Sequence, residues 1–193
     1  MIRLPLTASI LLAFSISLFG TACRAPEQAP TQAQRVENAD LGIAIAALPE
    51  AFEVEINQGS DLRLTAPGPN GAGRVEVRVG PTGAAALNLP AEAKATQQYF
   101  ESLTNGQFFG NLELVAPIGS AFTARGAYDR DDGRVGEIRV FALHPIQSRL
   151  LTLSFVYPEG EGKERMQQLA ILLGEIEGLE SRPNSAATEV AGD

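Results

Sequence analysis

Between residues 52 and 79 the chain alternates apolar and charged side chains at every second position. In "AFEVEINQGSDLRLTAP", Phe52, Val54 and Ile56 fall on one side of an extended chain, with Glu53 and Glu55 on the other. Leu62 and Leu64 then alternate with Arg63 and Thr65. In "GRVEVRVGP", Val75, Val77 and Val79 stand opposite Arg74, Glu76 and Arg78. Successive side chains of a strand point to opposite faces, so this period predicts strands. Turn residues punctuate them at Gln58-Gly59-Ser60 and Pro69-Asn70-Gly71. One apolar and one charged face is the pattern of an antiparallel sheet with one wet side.

The period then changes. "NLPAEAKATQQYFESLTNG" offers Asn88 as a cap, Pro90 in the first turn, and Ala95, Tyr99 and Leu103 four residues apart, before Asn105-Gly106 ends the helix. Strands resume with "NLELVAPIG", "SAFTARGAY", "GEIRVFALHP" and "RLLTLSFVYP". In the last two, Phe141, Leu143, Leu150 and Val156 occupy the faces that are polar in the earlier strands. This predicts central strands buried on both sides. A final helix, about Gly162 to Gly178, aligns Met166, Leu169, Ala170, Leu173 and Ile176 on one stripe. No internal repeat stands out. The order predicts an α+β fold, with a mainly antiparallel sheet of about six to seven strands and two principal helices.

The flanks carry a different message. Met1, Ile2 and Arg3 precede an apolar run from Leu4 to Phe19, 16 residues long, against the ~20 a membrane-spanning helix needs. A short basic start, an apolar centre and small residues before a cut site make residues 1–22 a secretory signal peptide. Gly20 and Ala22 suit an ordinary signal peptidase, which would leave Cys23 as the first residue of a secreted protein. The same bond resembles the bacterial lipobox, through Thr21, Ala22 and Cys23, with Gly20 where that pattern prefers leucine. The resemblance implies a diacylglyceryl group on Cys23, and up to three acyl chains where two already give stable anchoring. A lone thiol in an oxidising compartment is a liability that lipidation removes, so Cys23 is assigned as the lipidation site. Arg24 follows it, not the Asp that retains many lipoproteins in the inner membrane. The resemblance therefore favours the outer membrane, with the domain facing the periplasm or the outside. Residues 23–40 are read as the lipidated cysteine and a flexible tether, 41–179 as a single domain, and 180–193 as a disordered tail.

Composition narrows the chemistry. The net charge is −8, and −9 without residues 1–22, whose one charged residue is Arg3. An acidic chain lacks the basic face that nucleic acid or anionic lipid requires. One cysteine and one histidine allow no intrachain disulfide, no thiolate zinc site and no multi-histidine metal site; no cofactor is expected. His144, before Pro145, is the one conspicuous general-base candidate, with Ser148 or Ser154 as conceivable nucleophiles. No G-x-S-x-G pattern accompanies them, and a histidine at a hairpin end, with Pro145 stopping the strand, is the favoured reading. Asp129, Asp131, Asp132 and Glu137 suggest calcium. Counted from Asp129, however, an EF-hand loop meets Gly133 at position 5, Arg134 at 6 and Val140 at 12, so it fails. Asp132-Gly133 reads instead as a hairpin turn. "PGPNGAGRVEVRVGP" has no phosphate-binding spacing. Glu53 and Glu55 follow the generic solvent-face pattern, and Phe52, Tyr99, Phe108 and Phe109 are assigned to the core.

The order of these elements resembles the PsbP-like superfamily: a β-hairpin opening, a helix near the middle, a hairpin series ending "LTLSFVYPEG" and a closing helix, over about residues 41–179. The resemblance implies a sandwich fold whose known members mostly bind other proteins and do no chemistry. The expectation is a lipid-anchored envelope domain, not an enzyme, that binds an envelope protein. A small-ligand carrier is the alternative, and a hydrolase using His144 stands behind both.

Overall fold

The computed structural model describes residues 34–80, 88–116 and 118–179; Cys23, the apolar run before it and residues 180–193 lie outside them. Two short strands come first, β1 (Val36–Asn38) and β2 (Ile43–Ile45), then a meander of β3 (Glu53–Gln58), β4 (Asp61–Ala66) and β5 (Gly73–Val79). Helix α1 (Leu89–Ser102) leads to a second meander of β6 (Gln107–Ala116), β7 (Gly119–Arg130), β8 (Gly133–Leu143) and β9 (Leu150–Pro158). Helix α2 (Gly162–Gly174) and β10 (Ile176–Gly178) follow.

The two meanders join into one antiparallel sheet of seven strands, ordered β3-β4-β5-β9-β8-β7-β6. Its one long-range seam sets Val75 opposite Phe155 and Val77 opposite Leu153. A second sheet, β1-β2-β10, holds Ile45 between Val36 and Ile176. The α+β class, the two helices and the antiparallel main sheet match the expectation. The three-stranded sheet was not foreseen, because strands of three residues are too short to display a period.

That small sheet corrects the start of the expected domain and the end of its last helix. The tether does not run to Asp40: Val36 and Asn38 are buried in β1. Asn38 donates to Asn57 Oδ1 and the Gly59 carbonyl, both at 2.9 Å, and accepts from Leu41 N–H at 2.8 Å. Its polar character in sequence hid a residue whose hydrogen bonds are met inside the protein. The last helix stops at Gly174, and Ile176 belongs to β10.

One face of the main sheet carries the larger core. Leu62, Leu64, Val75, Val77, Ile138, Val140, Leu151, Leu153 and Phe155 pack with Ile43 and Ile45 of the small sheet and Leu169, Leu172 and Leu173 of α2. Ala170 is exposed, and Leu172 takes the buried place expected of it. The other face meets α1, whose Phe100 is fully buried among Leu89, Ala124, Tyr128 and Phe141. Ala95 is exposed, so the buried stripe of α1 is one residue further round, on Thr96 and Phe100. Gly126 of β7 admits the Phe100 ring, which a side chain there would strike. β8 is buried on both faces through its middle, as expected; β9 is buried on one and half-buried on the other.

Arg165, on α2, has no exposed surface. Its Nε donates to Glu161 Oε2 at 2.8 Å, its Nη1 to the Ala66 carbonyl at 3.1 Å and to Gln168 Oε1 at 3.0 Å. Glu161 also accepts from Asn70 N–H at 3.2 Å. Burial pushes the Glu161 carboxyl up, but the hydrogen bond and charge of Arg165, with Asn70, outweigh it and hold the group below its usual range. The pair therefore ties α2 to the β4–β5 connection. Removing one member of a buried pair costs ~3–5 kcal/mol. Arg165→Leu should lower the urea unfolding free energy by about 3 kcal/mol; a loss below ~1 kcal/mol, the range of exposed pairs, would refute this role for the clasp.

Candidate functional site

Helix α1 contacts β6, β7 and β8, and among the described residues no element covers the same side of β3, β4, β5 and β9. On that uncovered side the strands carry charge in pairs two residues apart. Asp61 meets Arg63 at 2.7 Å and Glu76 meets Arg78 at 2.7 Å, while Arg74 reaches Glu55 at 2.9 Å. Exposed pairs of this kind add little stability, so they keep the face polar and soluble.

Where the covered and uncovered halves meet lies a cleft of about 760 Å³, lined by Arg74, Glu76, Tyr99, Arg130, Glu137 and Arg139 among others. Its floor is built around Glu137 of β8, whose side chain is 1% exposed. Arg139 Nε and Ser154 Oγ each donate to Glu137 Oε1 at 2.6 Å, and Tyr99 OH donates to Oε2 at 3.3 Å. The Arg139 guanidinium also lies 3.6 Å from the centre of the Tyr99 ring, a cation–π contact. The sheet register explains the convergence: Arg139 and Glu76 flank Ser154 on neighbouring strands, and Glu137 faces Val156 one step along. Tyr99 and Tyr128 both have their phenol groups pushed above the usual range, first by burial and then by the Glu137 charge. They therefore stay protonated donors at any ordinary pH. The floor is polar, and the serine hydroxyl in it, Ser154, already donates to a carboxylate.

Glu137 was considered in sequence only as part of an acidic cluster, and the structure separates it from the others. Asp131 and Asp132 form the two-residue turn between β7 and β8, with Arg130 opposite Gly133; the turn thus lies one residue before the expected Asp132-Gly133. Asp129 pairs with Asn105 at 2.6 Å and Arg134 at 2.9 Å, and these contacts lower its carboxyl, Asn105 first. Among the described residues no three His, Cys, Asp or Glu side chains gather as metal ligands. Glu53 and Glu55 are exposed on β3. Phe52 is core, and Tyr99 of α1 and Phe108 of β6 pack partly buried against the smaller core around Phe100. Phe109 is 55% exposed, contrary to its core assignment, because a bulge between Phe108 and Gly110 breaks the alternation.

His144 is far from this cleft. It follows β8 on the side of the larger core, whereas Ser154 faces the cleft, and Leu143–Leu150 lies four register pairs from Arg139–Ser154. At ~3.4 Å per residue this is about 14 Å along the ladder. Ser148 is exposed. The ring, 4% exposed, sets Nε2 3.0 Å from the Leu41 carbonyl and accepts from Ile146 N–H at Nδ1, 3.3 Å away. A neutral imidazole protonated at Nε2 meets both contacts, so His144 is a strut between the end of β8 and the segment leading to β2. Burial lowers its affinity for a proton below the ordinary 6.5. Below that pH the unfolded chain binds a proton that the folded protein resists. Stability should thus be level above about pH 6.5 and fall with decreasing pH beneath it, by at most ~1.4 kcal/mol per pH unit. His144 is the only histidine. His144→Gln should therefore flatten the melting temperature between pH 7 and pH 5; parallel curves for the two proteins would refute the assignment.

No family model matches the sequence, and no curated protein matches it. Solved structures share the fold. LpqN of Mycobacterium tuberculosis, involved in cell envelope biogenesis, is similar with a TM-score of 0.53 and 13% identity, over 80% of this chain and 88% of its own. The cyanobacterial PsbP of Synechocystis gives 0.53 and 9% identity, over 82% and 99%. The Ran-binding protein Mog1p of Saccharomyces cerevisiae gives 0.50 and 11% identity, over 77% and 96%. The architecture is thus the α+β, PsbP-like one, and at these identities the likeness is one of fold.

Proposed function

We propose that the chain is a non-catalytic binding domain of the bacterial cell envelope, anchored through acylated Cys23, that docks another envelope protein on the half-covered face of its sheet. The cleft floor carries this reading. Arginine and tyrosine are enriched where proteins bind one another, and here Tyr99, Tyr128 and Arg139 are locked around buried Glu137 before any partner arrives. The separation of His144 from Ser154 speaks against the hydrolase alternative. Support for the setting comes from the lipobox-like Thr21-Ala22-Cys23 and from Arg24, which favours the outer membrane. Two proteins of similar fold are named for cell envelope biogenesis and for Ran binding, which agrees with a binding role.

The test is cross-linking in native membranes followed by mass spectrometry of three proteins: wild type, Cys23→Ser and the doubly reversed Arg74→Glu/Arg130→Glu. Both arginines line the cleft at exposed positions. Wild type should pellet with membranes, carry an acyl mass on its N-terminal peptide and capture one defined partner. Cys23→Ser should become soluble, and the charge reversal should lose the partner while staying membrane-bound. Identical fractionation of wild type and Cys23→Ser would overturn the anchor, and capture unaffected by charge reversal would overturn the docking face.

A further inference from the structure

On the opposite side of the sheet, at the start of α2, lies a second cavity of about 410 Å³ that the docking face does not use. Phe109, Ala127 and Met166 supply an apolar wall; Arg125, Tyr157 and Lys163 supply the polar groups. Tyr157 is 6% exposed, yet its hydroxyl makes no hydrogen bond to any described residue. The hydroxyl emerges between two glycines that also line the cavity: a Cβ at Gly136 or Gly162 would stand 3.0 or 3.2 Å from it. Burial pushes this phenol up despite the nearby Arg125 charge, so it remains a donor at neutral pH. Among the described residues no fully buried side-chain polar atom lacks a partner, so this hydroxyl, at the tip of a buried ring, opens into the cavity and is free to donate there.

Three further observations fix the sign of what fits there. Arg125 and Lys163 are exposed and, among the described residues, form no ion pair, as is also true of Lys94, Arg130 and Arg149, whereas Arg63, Arg74, Arg78, Arg134, Arg139 and Arg165 do. Glu159, on the rim, is held by Arg134 at 2.9 Å. Glu161 occupies the capping position of α2 but makes no capping bond, because its carboxylate is turned to Arg165 and Asn70. The first N–H groups of the helix, at its positive end, are thus left without a side-chain cap.

From the hydroxyl aimed into the cavity, the two cations beside it and the apolar wall we infer that this cavity binds a small amphipathic anion. Its head, a carboxylate or another single anionic group, accepts from Tyr157 and lies between Arg125 and Lys163; its hydrocarbon body lies on Phe109 and Met166. The volume is at the lower end of small-molecule sites, which suits a medium-length chain and not a whole membrane lipid. The exposure of Phe109 has its reason here. Apart from Tyr157, which also borders the docking cleft, the residues of this site are separate from it, and the inference does not depend on the docking role.

The chain has no tryptophan, so calorimetry is the direct probe. The whole mature protein should bind sodium decanoate saturably at one site, and decyltrimethylammonium, with the same tail and the opposite charge, not at all. Tyr157→Phe preserves the ring and should weaken decanoate about ten-fold, as loss of one hydrogen bond to a charged group does. Arg125→Gln/Lys163→Gln changes only exposed side chains and should weaken it at least as much. Arg74→Glu/Arg130→Glu, on the other face, should leave it unchanged. Absence of saturable decanoate binding, equal binding of the cationic probe, or affinity kept within two-fold by Tyr157→Phe or by the glutamine pair would overturn the assignment. If Tyr157→Phe does not fold, the glutamine pair decides.

Discussion

Seven strands ~4.8 Å apart make a sheet about 29 Å wide, while a helix with its side chains is ~10 Å across. One helix can therefore cover two or three strands and no more. The face that carries the larger core meets this limit with two covers, α2 and the small β1-β2-β10 sheet. Among the described residues the other face has α1 alone, over β6, β7 and β8. Everything distinctive about the molecule follows from that unequal coverage. β4 and β5 keep a charged side because no described element lies over it. β8 loses its alternation because α1 does, and the cleft forms along the line where cover ends.

Two buried charged sites mark where covering elements meet the sheet. Arg165–Glu161 joins α2 to the β4–β5 connection, and Glu137 sits beside the edge of α1 with Arg139, Ser154 and Tyr99 around it. Burying an ion pair gains little over burying hydrocarbon, but it tolerates little displacement, since a misplaced partner leaves a charge uncompensated in the interior. Such pairs specify the angle and register at which an element docks more than they add to total stability. That property suits a surface whose geometry must be set before anything binds to it.

The main sheet was legible because alternation over Phe52–Val79 is long enough to be unambiguous, and Asn88, Pro90 and Asn105-Gly106 bracket α1 by chemistry that acts locally. The small sheet was not legible: Val36–Asn38 and Ile43–Ile45 depend wholly on one another and on Ile176, partners remote in the chain. The cleft was visible only in outline. Glu-x-Arg in "GEIRV" has the same spacing as in "VEVRV", and nothing local says that Glu137 is buried and Glu76 is not; that difference is made by Tyr99, 38 residues away. Phe109 was misread because a bulge shifts a side chain to the other face without altering the composition around it. His144 was read by its solitude, and its two backbone partners, which explain it better, lie across the fold and next door.

The seam between β5 and β9 bears on how the chain reaches this state. β3–β5 and β6–β9 are each meanders of neighbours in sequence, whose pairings close short loops at low entropic cost. β5 with β9, like β2 with β10, joins residues more than seventy positions apart. Topologies whose last contacts are non-local fold slowly, and until the seam closes both meanders expose an unpaired hydrophobic edge. Val75, Val77, Leu153 and Phe155 are then the residues on which commitment to the native topology rests. The domain is in this sense a joint between two locally formed halves, and its folding rate is a property of that joint.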